Sequence, residues 1–153
     1  MAEITVGQDA PDFETIDDKG QKVKLSDFRG KKVVLYFYPK DDTPGCTRQA
    51  CGFLDNYAAV QEKNAVVLGV SPDGEESHVA FRDKFSLPFP LLVDEDKAIS
   101  SAYSVLRERE RDGQKFMGVL RSHFVIDEQG KVADVQYNVS PEDSVAKGIE
   151  SIS

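Results

Sequence analysis

The sequence predicts an α/β fold: a mixed central sheet flanked by helices, preceded by an N-terminal β-hairpin. Two continuous apolar runs, Val33 to Tyr38 and Ala65 to Val70, are joined by a stretch of helical spacing, which gives a parallel pair with a right-handed crossover. Near the C-terminus, two strand-like segments surround Asp127-Glu128-Gln129-Gly130 and should pair antiparallel. Parallel and antiparallel neighbours in one sheet, with helices between, require layers on both faces. The 153 residues suit one domain spanning 1–153, with no repeat, linker or low-complexity segment.

In chain order, Phe13 to Ile16 and Gln21 to Leu25 alternate around Asp17-Asp18-Lys19-Gly20, a hairpin signal. Ser26 is placed to cap one helical turn through Phe28, and Gly30 releases the chain into the Val33–Tyr38 strand. Pro39 ends that strand, and Lys40 to Gly45 form a polar turn. From Cys46, the residues Ala50, Phe53, Leu54, Tyr57 and Ala58 mark one helix ending near Lys63 and Asn64. Ala65 to Val70 is the next strand, and Ser71-Pro72-Asp73-Gly74 opens a second helix with His78, Phe81 and Phe85 on one face. His78 reads as a half-buried helix residue. Pro88-Phe89-Pro90 stops this helix, Leu91 to Val93 is a short strand, and Ala98, Ile99, Ala102 and Tyr103 mark a third helix.

The alternating charges of Arg107 to Gly113 read as a solvated loop or hairpin tip, without a function. Phe116 to Ile126 and Lys131 to Val139 follow as strands, the second with Ala133, Val135, Tyr137 and Val139 inward and one wet face. Ser140-Pro141-Glu142-Asp143 is a capped helix start, and Val145, Ala146, Ile149 and Ile152 form the buried stripe of the last helix.

Composition excludes several classes of partner. Lys and Arg total 19 against 27 Asp and Glu, a net charge of -8, with no basic block longer than two residues, so nucleic acid and anionic membrane are poor partners. No apolar run approaches a membrane span, and Met1 to Ala10 lacks a signal-peptide pattern, so a cytoplasmic protein is expected.

The chemistry concentrates at the two cysteines, Cys46 and Cys51. Cys46 falls in the first turn of a helix, where unpaired N–H groups and about half a positive charge favour thiolate over thiol. A free thiol near 8.5 can fall to about 3.5–7.5 in such settings. Its place after Thr-Pro-Gly in a polar loop argues for incomplete burial, and Arg48 lies two residues on. Cys51, taken alone, reads as a small buried apolar residue. Zinc is disfavoured, since His78 and His123 lack ligand spacing. A disulfide oxidoreductase is also disfavoured, because four residues intervene between the cysteines rather than two. A redox-sensing interaction module stays open.

The run Pro39-Lys40-Asp41-Asp42-Thr43-Pro44-Gly45-Cys46 resembles the peroxiredoxin active-site pattern of proline, three residues, threonine, two residues, cysteine. Cys51, five residues further on, resembles the resolving cysteine of the Q-type subfamily, the bacterioferritin comigratory proteins. The likeness continues through Gly69 to Asp73, Asp94-Glu95-Asp96 with Tyr103, and Gly118 to Asp127. Gln49 departs from the glutamate that many members carry three residues after the cysteine.

The resemblance implies a thioredoxin-like fold and a monomeric thiol peroxidase for hydrogen peroxide and organic hydroperoxides. In that reading Cys46 attacks, Thr43 and Arg121 hold the peroxide, and Pro39 shields the thiolate. Cys51 closes an intramolecular disulfide that a thioredoxin-like reductant reopens, and no metal, haem or flavin takes part. Helix geometry adds a constraint. Residues five apart on an α-helix lie roughly 8.6 Å apart at Cα, whereas a disulfide needs less than about 7 Å, so this pair joins only if the helix unwinds.

Overall fold

The protein is described by a computed structural model over residues 3–152. Met1, Ala2 and Ser153, the ends of the expected 1–153 domain, lie outside the described residues. A five-stranded sheet forms the centre, in the spatial order β5 (Leu91–Val93), β4 (Ala65–Ser71), β3 (Lys32–Phe37), β8 (Ser122–Ile126) and β9 (Val132–Gln136). Strand β3 runs parallel to β4, which runs parallel to β5. On its other edge β3 pairs antiparallel with β8, and β8 with β9. The expected N-terminal hairpin is present as β1 (Glu14–Ile16) and β2 (Lys22–Lys24).

Alternation along β3 explains its apolar character on both faces. Val33, Leu35 and Phe37 enter one core layer with Leu68, Tyr103 and Phe124; Val34, Tyr36 and Tyr38 enter the other with Phe53, Phe81 and Phe89. Cys46 belongs to the second layer. Helices α1 (Pro44–Asp55), α2 (Tyr57–Glu62), α3 (Glu75–Phe85), α4 (Ala98–Ala102) and α5 (Pro141–Ser151) complete the fold.

Several expectations are corrected. The helix after Cys46 does not run on to Lys63: it breaks at Asn56, whose side-chain Nδ2 donates to the Gly52 carbonyl at 2.8 Å and competes with the helical ladder. Ala58, expected inside, is exposed on α2. The turn after the hairpin is a 3-10 turn over Leu25–Phe28, in which Ser26 is interior; Asp27 caps it by accepting from the Lys24 N–H.

Of the two readings of residues 107–113, loop or hairpin tip, the structure shows the hairpin: they form the first strand and the tip of β6 (Leu106–Arg111) with β7 (Gln114–Val119), and only Asp112-Gly113 is the turn. The single strand expected over Phe116–Ile126 is therefore two, since the chain leaves β7 and enters β8 through Leu120 and Arg121. In β9 a register shift makes Ala133 the extra residue, exposed between buried Val132 and half-buried Asp134. On α5 the buried stripe is Ser144, Val145, Gly148, Ile149 and Ile152, with Ala146 facing out. Gly148 is there because a β-carbon would sit 3.3 Å from Val34 and 3.4 Å from Phe53.

Candidate active site

The chain enters the site as it leaves β3. Tyr38 and Asp41 are buried, and the Tyr38 hydroxyl donates to Asp41 Oδ1 at 2.6 Å. Asp41 is the anchor of the loop: its other carboxylate oxygen accepts from Ser77 at 2.8 Å and faces His78 Nδ1 at 2.7 Å, while its N–H donates to Asp73 at 2.7 Å. Asp42 then takes a left-handed φ of 59°, a conformation that Asp tolerates better than most residues. His78 is fully buried rather than half-buried, with Nε2 donating to the Leu92 carbonyl at 2.8 Å. Burial alone would push its ring down, but the Asp41 hydrogen bond and charge, aided by the Leu92 carbonyl and Asp73, outweigh it and raise the His78 pKa. His78 thus bridges the Asp41 carboxylate and the Leu92 carbonyl, and β4, β5 and α3 fix the loop by this route.

Thr43 is the N-cap residue of α1 and Pro44 its first helical residue. The Thr43 hydroxyl turns back to donate to the Lys40 carbonyl at 2.9 Å and gives the first turn no side-chain cap. The first-turn N–H groups are left for another acceptor. Cys46, in that turn, is only 1% exposed, against the expectation of incomplete burial, because it packs into the layer of Tyr36, Tyr38 and Phe53.

Arg121 reaches the same point from the β7–β8 crossing. Its Nη1 and Nη2 lie 3.5 and 3.4 Å from Cys46 Sγ, and Nη1 also donates to Gln49 Oε1 at 2.7 Å. Gly45 makes the approach possible, since a β-carbon there would meet Arg121 Nη2 at 2.9 Å. Arg48, the nearer arginine in sequence, instead faces Glu142 on the surface at 3.4 Å. The structure therefore brings Cys46, Arg121 and the Thr43 cap together. Pro39 is exposed at the end of β3, where it lines a groove with Lys40, Pro72 and Met117.

Cys51 is one and a half turns deeper in α1, half-buried, and both cysteines are free thiols. Burial pushes the Cys51 thiol up, and the Asp55 carboxylate adds to the effect. Tyr36, fully buried beneath, has a hydroxyl with no hydrogen-bond partner among the described residues. Burial, with the Cys46 and Asp41 charges, pushes its phenol well above the ordinary range, so it remains neutral.

Sequence reasoning missed Ser144 and the place of His123, and marked Gln49 only as a departure from the family glutamate; all three are fully buried behind Arg121. Gln49 Nε2 donates to Ser144 Oγ at 2.9 Å, Ser144 Oγ lies 2.9 Å from His123 Nδ1, and His123 Nε2 lies 2.8 Å from Asp134 Oδ2. That hydrogen bond from His123 holds the Asp134 carboxyl below the usual carboxylate range, against the effect of its burial. For His123 the only sequence signal was a polar residue within the apolar run of β8, and Ser144, outside the expected stripe of the last helix, had none.

A cysteine at an uncapped helix start, under a guanidinium and on a mixed sheet, is an arrangement for thiol chemistry, and the comparisons name the class. The model of the AhpC/TSA family matches residues 6–135, and the chain belongs to that family, the peroxiredoxins, which are thiol peroxidases working through a peroxidatic cysteine. Within the family the resemblance is to the Bcp and Q kind. Peroxiredoxin Bcp of Bacillus subtilis is 45% identical over 149 residues, covering 97% of this chain and 95% of that protein. Solved structures with the same thioredoxin-like fold include Peroxiredoxin Q of Xanthomonas campestris (TM-score 0.87, 31% identity, 92% of this chain and 89% of that one). BcpB of Mycobacterium tuberculosis is similarly close (TM-score 0.87, 32% identity, 98% and 97%). The Xanthomonas campestris bacterioferritin comigratory protein, described by its alkyl peroxide reduction, is 30% identical at a TM-score of 0.87 over 92% of this chain and 89% of that one. No helix among the described residues is long and apolar enough to cross a membrane.

Proposed function

We propose that Cys46 is the peroxidatic cysteine and Cys51 its intramolecular resolving partner, in a single-domain monomer that reduces hydrogen peroxide and organic hydroperoxides. The observation that carries this reading is the Arg121 guanidinium with two nitrogens 3.4–3.5 Å from the Cys46 sulfur, in the first turn of α1. The Cys46 thiolate attacks the terminal peroxide oxygen; the O–O bond breaks, the sulfur is oxidised to sulfenic acid, and the departing oxygen takes up a proton as water or alcohol. Arg121 and the first-turn N–H groups are donors suited to the charge that develops on that oxygen, and the Thr43 hydroxyl, whose proton goes to the Lys40 carbonyl, offers lone pairs to hold the O–H of the incoming peroxide. Pro39, at the mouth of the loop, keeps bulk water from the sulfur.

The Cys51 thiol then condenses with the sulfenic acid, expelling water and forming the disulfide, which a thioredoxin-like dithiol reduces by exchange. This cycle uses no metal, haem or flavin. Thiols that must be returned to the reduced state each cycle suit a reducing compartment, and we assign the enzyme to the cytoplasm. The alkyl peroxide reduction attributed to the Xanthomonas relative supports including organic hydroperoxides.

The test mixes the protein with limiting peroxide and a thioredoxin system and counts turnovers. Many turnovers per chain for the wild type, and none for Cys46→Ser, are expected. A single slow oxidation, or full activity in Cys46→Ser, would overturn the reading.

A further inference from the structure

The hydrogen bonds behind Arg121 take their direction from the guanidinium as far as Ser144. Arginine only donates, so the Gln49 atom that meets Arg121 Nη1 at 2.7 Å is the amide oxygen, and the amide nitrogen must face Ser144. Ser144 Oγ accepts that bond at 2.9 Å, which leaves its own proton available to His123 Nδ1, also at 2.9 Å. A bare Nδ1 puts the ring proton on Nε2, where Asp134 Oδ2 accepts it at 2.8 Å. Every member is thereby satisfied, and Gln49, Ser144 and His123 are each 0% exposed.

We propose that Ser144, His123 and Asp134 are positioning residues for peroxide attack, acting through Gln49 to hold Arg121 over the Cys46 sulfur. This rests on the peroxidase reading above. The His123 Nδ1 acceptor is the decisive member. With its proton committed to His123, Ser144 can only accept from Gln49; without that partner it is free to donate to Gln49 Oε1 and compete with Arg121 for the same oxygen. The glutamine at position 49 fits this scheme and a glutamate does not. A carboxylate would accept from Ser144, reverse its hydroxyl, and force His123 Nδ1 to carry a proton.

Arg121 is a donor fork whose value depends on aim, so loosening its support should slow the chemical step while leaving the fork present. The residues lie on four elements, α1, β8, β9 and α5, and the strand edge at Asp134 is linked to the reacting sulfur through one unbroken chain of polar contacts.

The test measures the first oxidation of Cys46 by rapid mixing with peroxide. Ser144→Ala should slow it roughly tenfold, the loss of one well-aimed hydrogen bond. The same substitution in an Arg121→Ala background should have no further effect, and Ser144→Thr, which keeps the hydroxyl, should restore the rate. A wild-type rate in Ser144→Ala, or equal slowing with and without Arg121, would overturn the proposal. Independently of any folding defect in these variants, nitrogen NMR of the unmodified reduced protein should find the His123 proton on Nε2 and none on Nδ1, and a proton on Nδ1 would overturn it as well. A wild type inert to peroxide would remove the peroxidase reading instead, a result distinct from either.

Discussion

Gly52 of α1 and Val145 of α5 meet so closely that a β-carbon on Gly52 would lie 2.7 Å from Val145 Cγ2. The glycine lies between Cys51 and Phe53, so the helix that carries both cysteines is docked on α5 at the point where it must open for a disulfide to form. Gly52→Ala sets an overpacking cost of about 1–3 kcal/mol against roughly 1 kcal/mol of gained helix propensity. The reduced protein should lose about 1 kcal/mol in urea unfolding. In a Val145→Ala background the clash is gone, and the same substitution should stabilise. Stabilisation by Gly52→Ala alone would show that α5 yields to α1.

Disulfide formation should soften the same region. Phe53 is 0% exposed, with its ring centroid 5.0 Å from that of Tyr36, and it anchors α1 to the sheet. Closing so short a loop stabilises by only about 2 kcal/mol in the chain-entropy model, while freeing each large apolar side chain costs about 1.5–3 kcal/mol. With Phe53 and Leu54 both disturbed, unwinding dominates. The oxidised protein should show less helix by circular dichroism, faster amide exchange from Cys46 to Leu54, and a lower Tm than the reduced form. A higher Tm with unchanged exchange in that segment would argue against Cys51 as the partner.

Asp55 restrains Cys51. The thiol is pushed up first by burial and then by the Asp55 carboxylate. Asp55→Asn removes the second cause, so Cys51 should ionise more readily near neutral pH, and in a Cys46→Ser background it should react roughly threefold faster with iodoacetamide. An unchanged alkylation rate would leave burial as the sole cause.

His78 gives the loop a pH dependence with a defined sign. Its pKa is raised in the folded state, above about 6.5 in the unfolded chain. Its contribution is therefore fully present below about pH 6.5 and is lost as pH rises through the folded value. Above that range a neutral ring would turn either a lone pair toward the Asp41 carboxylate or one toward the Leu92 carbonyl. Denaturant stability of the wild type, followed upward from mildly acidic pH, should carry this decline, and His78→Gln should flatten it. Parallel pH profiles for the two proteins would rule out the buried pair as the cause.

Local patterns made much of this fold legible. The apolar runs of β3 and β4, the proline that ends β3, and the helix start at Thr43-Pro44 are all written in adjacent residues, and so was the position of Cys46 in a first turn. Contacts between distant residues were not. The full burial of Cys46 comes from its packing in one layer with Tyr36, Tyr38 and Phe53, which no feature of the polar loop reveals. Asp41 reads as a turn residue until β4 and α3 bring Asp73, Ser77 and His78 to it. Ser144 reads as helix surface until its neighbours Gln49 and His123, far off in sequence, occupy its face. The break at Asn56 had a local cue, since asparagine competes for helix carbonyls, and the apolar spacing across it outweighed that cue.

The most direct test of the account is oxidation of Cys51→Ser by one equivalent of peroxide, read by mass spectrometry of the peptide containing Cys46. This variant keeps Cys46 beneath Arg121 and removes the only other thiol in the chain. Cys46 should rapidly gain one oxygen atom, trapped by a sulfenic-acid reagent, with no disulfide and with further oxidation as peroxide is raised. A Cys51→Ser protein that resists one equivalent of peroxide, while the wild type consumes it, would contradict the assignment of Cys46 as the attacking thiol.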